Sequence, residues 1–209
     1  MKKVVIFDLD GTLIDTSEGI FNSVRYAEKM MGLDAIDEDK LKEFIGPPPK
    51  EMYKTLYGLT EEDALLAVKY HRDYGASNGY IESSPYNGIK DLLIELKSNG
   101  NILAIGTLKK QEVAESVIKH HKLDDCFDCI LGMNDSESLT KALIISSIVD
   151  KYGIDKDNVI MVGDSVYDYE GARQVGVRFI GVLYGFGLEA NRVHKYSVIN
   201  SPKELLGII

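Results

Sequence analysis

Val4-Val5-Ile6-Phe7-Asp8-Leu9-Asp10-Gly11-Thr12-Leu13-Ile14-Asp15-Thr16 is the stretch that decides how this chain folds. Val4 to Phe7 is a short apolar, largely β-branched run with no helical period, which predicts a buried strand of a parallel sheet. In open α/β sheets ligands sit off the carboxyl ends of such strands. Asp8 and Asp10, two carboxylates two residues apart, therefore fall where chemistry would take place. Asp and Gly also favour ordinary solvated turns, and the stretch taken alone admits that reading. A calcium loop does not fit: it asks for an acid or Asn at its fifth position, Gly at its sixth and Glu at its twelfth, where Thr12, Leu13 and Gly19 stand.

Working outward, the residues after Thr16 turn helical. Ile20, Val24, Ala27 and Met31 share one helix face, and Asp15 with Glu18 three residues on has the look of a capping box; Gly32 is the expected end. Further helices are predicted near Asp37 to Ile45, Lys50 to Tyr57 and Thr60 to Tyr74, with Gly46-Pro47-Pro48-Pro49 breaking the first from the second. From Ser83 the pattern changes to alternation. Strands are predicted at Ile102 to Gly106, Cys129 to Leu131, Val159 to Val162 and Phe179 to Leu183. The helices between them are Gly88 to Ser98, Gln111 to His120, Thr140 to Tyr152 and Tyr167 to Gln174. This repetition predicts an α/β fold, a Rossmann-like parallel sheet core (residues 1–15 and 83–209) with a helical cap domain (residues 16–82) inserted after the first strand. Ser77-Asn78-Gly79 and Pro85-Tyr86-Asn87-Gly88 suit a hinge between the two.

The 209 residues suffice for a substantial core, and 44% hydrophobic with 27% charged content is ordinary for a globular chain. Thirty-three acids against 24 bases give a net charge of −9, which argues against nucleic-acid or membrane partners, both of which ask for basic patches. An anionic substrate would then need local cations or a metal. Asp8 interrupts the apolar run after Lys3 too early for a secretory signal, and no stretch approaches a membrane span. Two cysteines are too few for a disulfide framework, so the cytoplasm is the expected compartment. Cys126-Phe127-Asp128-Cys129, with His120-His121 upstream, has redox or half-zinc spacing, but small buried side chains are the simpler reading. Gly185-Phe186-Gly187-Leu188-Glu189-Ala190 loosely matches a dinucleotide fingerprint, yet too little chain follows it. A loop beside the active site is the better reading.

Three later segments follow predicted strands: Thr107, Lys141, and Gly163-Asp164-Ser165-Val166-Tyr167-Asp168. Each has a plain reading, Thr107 as a helix cap, Lys141 as a solvated helix residue, Asp164 and Asp168 as caps or first-turn acids. Together with Asp8 and Asp10 they make a set that phosphoryl transfer can use. A phosphate monoester repels a carboxylate nucleophile, so a divalent cation and a lysine must neutralise it first, and hard oxygen ligands such as Asp8 and Asp164 suit Mg²⁺. Attack by Asp8 would give an aspartyl phosphate, with Asp10 as acid and base.

Asp8-Leu9-Asp10-Gly11-Thr12, Thr107, Lys141 and Gly163-Asp164-x-x-x-Asp168 resemble the four ordered motifs of the haloacid dehalogenase superfamily. Ile45-Gly46-Pro47-Pro48 and Val182-Leu183-Tyr184-Gly185-Phe186-Gly187 resemble its phosphoglycolate phosphatase-like branch with a small helical cap. The resemblance implies that Asp8 is nucleophile and metal ligand, and that Asp10 is acid/base and binds the metal through its carbonyl. It also implies that Thr107 and Lys141 hold phosphoryl oxygens, that Asp164 binds Mg²⁺ and that Asp168 supports it or binds it. The acid at Asp10 favours phosphatase or phosphomutase chemistry, because the family's dehalogenases lack it. Leu108 departs from the pattern, since many relatives have Asn or Ser there, and this bears on how Asp10 is positioned. The expected activity is a Mg²⁺-dependent phosphatase of small phosphate monoesters. A sugar phosphomutase and a non-turnover phospho-receiver are the alternatives, and oligomeric state is left open.

Overall fold

β1 (Val4–Phe7) is buried at every position, as its unbroken apolar run requires. It leads into β2 (Ile14–Asp15), and the chain then runs through four helices: α1 (Ser17–Met31), α2 (Glu38–Lys42), α3 (Pro49–Tyr57) and α4 (Glu61–Tyr74). Next come β3 (Ser84–Pro85), which pairs with β2, then α5 (Ile89–Ser98), β4 (Ile102–Lys110), α6 (Gln111–His120) and β5 (Cys129–Met133). The chain closes with α7 (Lys141–Tyr152), β6 (Val159–Gly163), α8 (Val166–Val175), β7 (Arg178–Val182) and β8 (Ser197–Ile199). This computed structural model describes residues 2–79, 81–134, 136, 138–188 and 196–209. The chain forms two compact units, residues 1–15 with 85–209, and residues 16–84.

The first unit is a Rossmann-like α/β fold whose main sheet has the order β5-β4-β1-β6-β7-β8, every pairing parallel. β1 lies between β4 and β6, with Val4 opposite both Ile102 and Val159. Val4, Ile6, Ala104 and Met161 form one core with Ile144, Ile145 and Ile148 of α7 and Ala172 of α8. Burying each such side chain is worth roughly 1.5–3 kcal/mol, so the sheet centre is the best-anchored part of the molecule. The strands that meet there end at the motif residues.

The second unit packs α1, α3 and α4 around Val24, Ala27, Tyr53, Ala64, Ala67 and Val68, with Leu41 and Phe44 completing the cluster. Tyr53 is wholly buried against Phe44, Tyr57 and His71.

Several local expectations are corrected. The cap of α1 is Thr16, without a side-chain cap bond, so Asp15 and Glu18 form no capping box. α2 stops at Lys42, well short of Ile45, and α3 begins at Pro49, whose fixed φ suits a first helical position. Ser77 to Gly79 lies in a π-helical turn, Gly75–Gly79, that follows α4. β8, with only three residues, carried no usable signal. β4 continues through Thr107 to Lys110, its pairing with β5 irregular between Gly106 and Lys110. β5 is an edge strand, and Cys126 just before it and Cys129 at its start are half-buried, with no disulfide between them.

Candidate active site

The motif residues meet at the carboxyl ends of β1, β4 and β6. Asp8 continues the ladder one step past β1, its N–H donating to the Val162 carbonyl at 2.9 Å. The chain then doubles back: Leu13 and Ile14 N–H both reach the Leu9 carbonyl at 3.0 Å, and all three side chains are fully buried. These apolar anchors hold the loop that carries Asp10 and Gly11.

Thr140 caps α7, accepting from the Leu143 N–H at 3.2 Å, and so places Lys141 at the first helical position. A cation is disfavoured there by the helix dipole, and burial adds to the cost. Carboxylates offset both effects. Lys141 Nζ lies 2.9 Å from Asp8 Oδ1 and 2.8 Å from Asp168 Oδ1, and donates to the Gly106 carbonyl at 2.9 Å. Asp168 also completes a capping box at α8: its Oδ2 accepts from the Ser165 hydroxyl at 2.6 Å and the Ser165 N–H at 3.1 Å. The cap reading of Asp168 is thus true, and its other oxygen serves Lys141.

Asp164 follows β6. Its Oδ2 accepts from the N–H groups of Phe186 at 2.8 Å and Gly187 at 3.3 Å, and its Oδ1 from the Thr12 hydroxyl at 3.3 Å. Gly11, at φ +76°, and Gly185 face this carboxylate so closely that a Cβ on either would overlap it. Gly185, Phe186 and Gly187 therefore border the site and Leu188 packs against the sheet core, while Glu189 and Ala190 fall outside the described residues.

Charge balance defines what the cluster lacks. Burial, then repulsion from Asp168, raises Asp8 to about 6 despite Lys141. Burial, then Asp168 and Asp8, raises Asp164 to about 7 despite its two N–H donors. For Lys141 burial pushes downward, but the charges of Asp168 and Asp8 outweigh it and hold the ammonium above its ordinary range. One lysine faces three buried acids. Asp8, Asp164 and Asp168 each offer an oxygen within 4.8 Å of the others, the one such cluster among the described residues. Hard oxygen donors with unneutralised charge fit a divalent cation such as Mg²⁺. Asp8, Asp164 and Asp168 are the carboxylates that could hold it. The cysteines and His120-His121 join no cluster of this kind among the described residues.

Thr107 is buried at the end of the same sheet, its hydroxyl accepting from the Lys109 N–H at 3.2 Å. It does not cap α6, whose cap position is Lys110. Asp10 stands apart from the Lys141 cluster and pairs with Lys109 instead, at 2.9 and 3.0 Å from its two oxygens. Sequence reasoning did not assign Lys109 a role, nor the Phe186 and Gly187 N–H groups, Thr12, or the rings Tyr86 and Tyr184. Those rings lie 4.9 Å apart; Tyr184 donates to the Thr12 carbonyl at 3.1 Å, and the Tyr86 hydroxyl is buried without a hydrogen-bond partner among the described residues.

With this geometry in view, comparison with known proteins identifies the class. Residues 5–182 match the model of the haloacid dehalogenase-like hydrolases, and the chain belongs to that family. It is 37% identical over 186 residues to the 5'-nucleotidase of Pseudomonas aeruginosa, covering 88% of this chain and 84% of that one. It is 31% identical over 215 residues to the tyrosine-protein kinase PtkA of Mycobacterium tuberculosis, covering 99% and 73%. A crystal structure of a predicted phosphatase from Clostridium acetobutylicum superposes with a TM-score of 0.91 at 36% identity, covering 100% of this chain and 98% of that one.

Proposed function

We propose that this hydrolase is a Mg²⁺-dependent phosphatase of small phosphate monoesters that works through an aspartyl phosphate on Asp8. The observation that carries the reading is Asp8 itself, a buried carboxylate at a strand end, held by Lys141 and crowded by Asp164 and Asp168. Such a group is costly to the fold and useful to a reaction. Asp8 and Asp164, with the Asp10 carbonyl, would hold the cation, which when bound supplies positive charge against the phosphoryl oxygens.

The chain's own residues do the rest. Asp8 attacks phosphorus, an Asp8 oxygen–phosphorus bond forms, and the ester oxygen leaves with a proton from Asp10. Asp10 then takes a proton from water, whose oxygen bonds phosphorus and frees Asp8. Thr107 and Lys141 hold the phosphoryl oxygens, Lys141 also restraining Asp8, and Asp168 keeps Lys141 in place. The substrates are small free phosphate esters in the cytoplasm. No helix among the described residues is long and apolar enough to cross a membrane. The name of the Pseudomonas relative puts nucleoside monophosphates first among candidates.

The test is release of inorganic phosphate from a panel of sugar, glycolate, nucleotide and aryl phosphates with and without Mg²⁺, beside Asp8→Asn. Multiple turnover that needs both Mg²⁺ and Asp8, with a hydroxylamine-sensitive phosphoenzyme, supports the reading. Phosphoryl transfer to a sugar without free phosphate would make the enzyme a phosphomutase. A single slow phosphorylation without turnover would make it a receiver.

A further inference from the structure

Lys109 adjoins the site and has no part in the chemistry above. β4 pairs irregularly with β5 between Gly106 and Lys110, and in this stretch Leu108 and Lys109 meet different partners. Leu108 packs against the core that Ile144, Ile148 and Met161 help to build. Lys109 spans both oxygens of Asp10 at 2.9 and 3.0 Å, with the two side chains only 18% and 17% exposed. Its own N–H bonds the Thr107 hydroxyl, so one short piece of strand ties Thr107, Lys109 and Asp10 together.

We propose that Lys109 is the positioning residue for the general acid. It fixes the direction of the Asp10 carboxyl, and its charge offsets the negative charge that develops on Asp10 as the proton departs. This rests on the phosphatase reading. In the step concerned, the Asp8 oxygen–phosphorus bond forms, the phosphorus–ester oxygen bond breaks, and the proton passes from Asp10 to the ester oxygen. Lys109 keeps its protons throughout and acts only through Asp10.

Leaving groups of different quality expose such a role. An alkoxide needs the proton of Asp10 in order to leave, whereas 4-nitrophenolate departs without it. Lys109→Met is expected to lower kcat/KM for an alkyl phosphate by about 30-fold, a part of the roughly 10²–10⁴ that general acid catalysis supplies, and to change kcat/KM for 4-nitrophenyl phosphate, which reports only the steps up to departure of the leaving group, by less than about 3-fold. Lys109→Arg, which keeps a cation able to span two oxygens, restores most of the loss. In an Asp10→Asn background Lys109→Met costs nothing further, because the two act as one unit. Equal losses on both substrates, or additive losses in the double variant, overturn the proposal. A wild-type enzyme no faster than Asp8→Asn on either substrate overturns the phosphatase reading instead.

Discussion

Glu28 in the helical unit and Asp8 in the sheet unit are both buried carboxylates, at 4% and 8% exposure, but they are built on opposite charge balances. Glu28 is fully met: Arg25 donates to its two oxygens at 2.9 and 2.8 Å, the Tyr57 hydroxyl at 2.7 Å and the Ile36 N–H at 2.9 Å. Arg25 in turn donates to the Ile36 carbonyl, closing a network that staples the Leu33 to Asp37 segment onto α1. Asp8 has a share of one lysine and two carboxylate neighbours that repel it. A satisfied buried acid serves the fold, and an under-neutralised one at a strand end waits for a ligand.

Mutating each acid breaks the comparison in a different way. Asp8→Asn removes the proposed nucleophile, and phosphate release is expected to fall by at least about 10³-fold while the protein remains folded. Loss of a carboxylate charge from a crowded cluster gives no reason for a lower thermal midpoint. Glu28→Ala should do the reverse. It strands the Tyr57 hydroxyl and the Ile36 N–H and leaves Arg25 without its carboxylate partner, for a loss of about 3 kcal/mol in urea unfolding. If Glu28→Ala lowered turnover of the folded protein as far as Asp8→Asn does, the division between the two acids would be wrong.

How much of this could be read from the sequence follows the same division. β1, β4, β6 and β7 were visible because apolar β-branched runs carry their own signal, and Asp8, Lys141, Asp164 and Asp168 because their order and spacing repeat a family pattern. β8 was not, since Ser197 to Ile199 is too short to show a period. The far end of β4 was also hidden: Thr107-Leu108-Lys109-Lys110 reads as the polar start of a loop, and only the sheet partner Met133 draws Lys110 into the strand. The donors on Asp164 were invisible for a deeper reason. Phe186 and Gly187 act through main-chain N–H groups, which every residue but proline carries. Lys109 was legible as a lysine but not as a partner, because its pairing needs the far end of β4 to meet the loop after β1.

A milder contrast lies in pH dependence. Asp164 rises from an ordinary 3.8 to about 7. Between those values the folded protein keeps a proton that the unfolded chain has released, so stability is present in full below about pH 4 and is lost as pH rises through about 7. Thermal midpoints of the metal-free protein should fall between about pH 5 and 8, and the slope should flatten in Asp164→Asn. Added Mg²⁺, which competes with that proton for the carboxylate, should raise the midpoint more at the upper end of the range. A slope unchanged by Asp164→Asn would remove the case for unneutralised charge at the site.

The smallest effect is expected at Glu61, and it sharpens the comparison most. Hydrogen bonds from Lys54 and Lys50, at 2.8 and 2.9 Å, pull this carboxyl from 4.5 down to about 2, a shift as large as that of Asp8 and opposite in sign. Its sign means that any contribution to stability is present above the ordinary carboxylate range and lost as pH falls through about 2. But Glu61 is 55% exposed, water and salt screen both lysines, and the long side chains lose entropy when held together. Glu61→Gln is therefore expected to move the thermal midpoint by no more than about one degree at moderate salt and to leave kcat/KM as it was. A perturbed acid marks a site only when burial and repulsion drive it upward. A large loss of turnover in Glu61→Gln would show that the size of the shift, rather than its cause, is what identifies function in this chain.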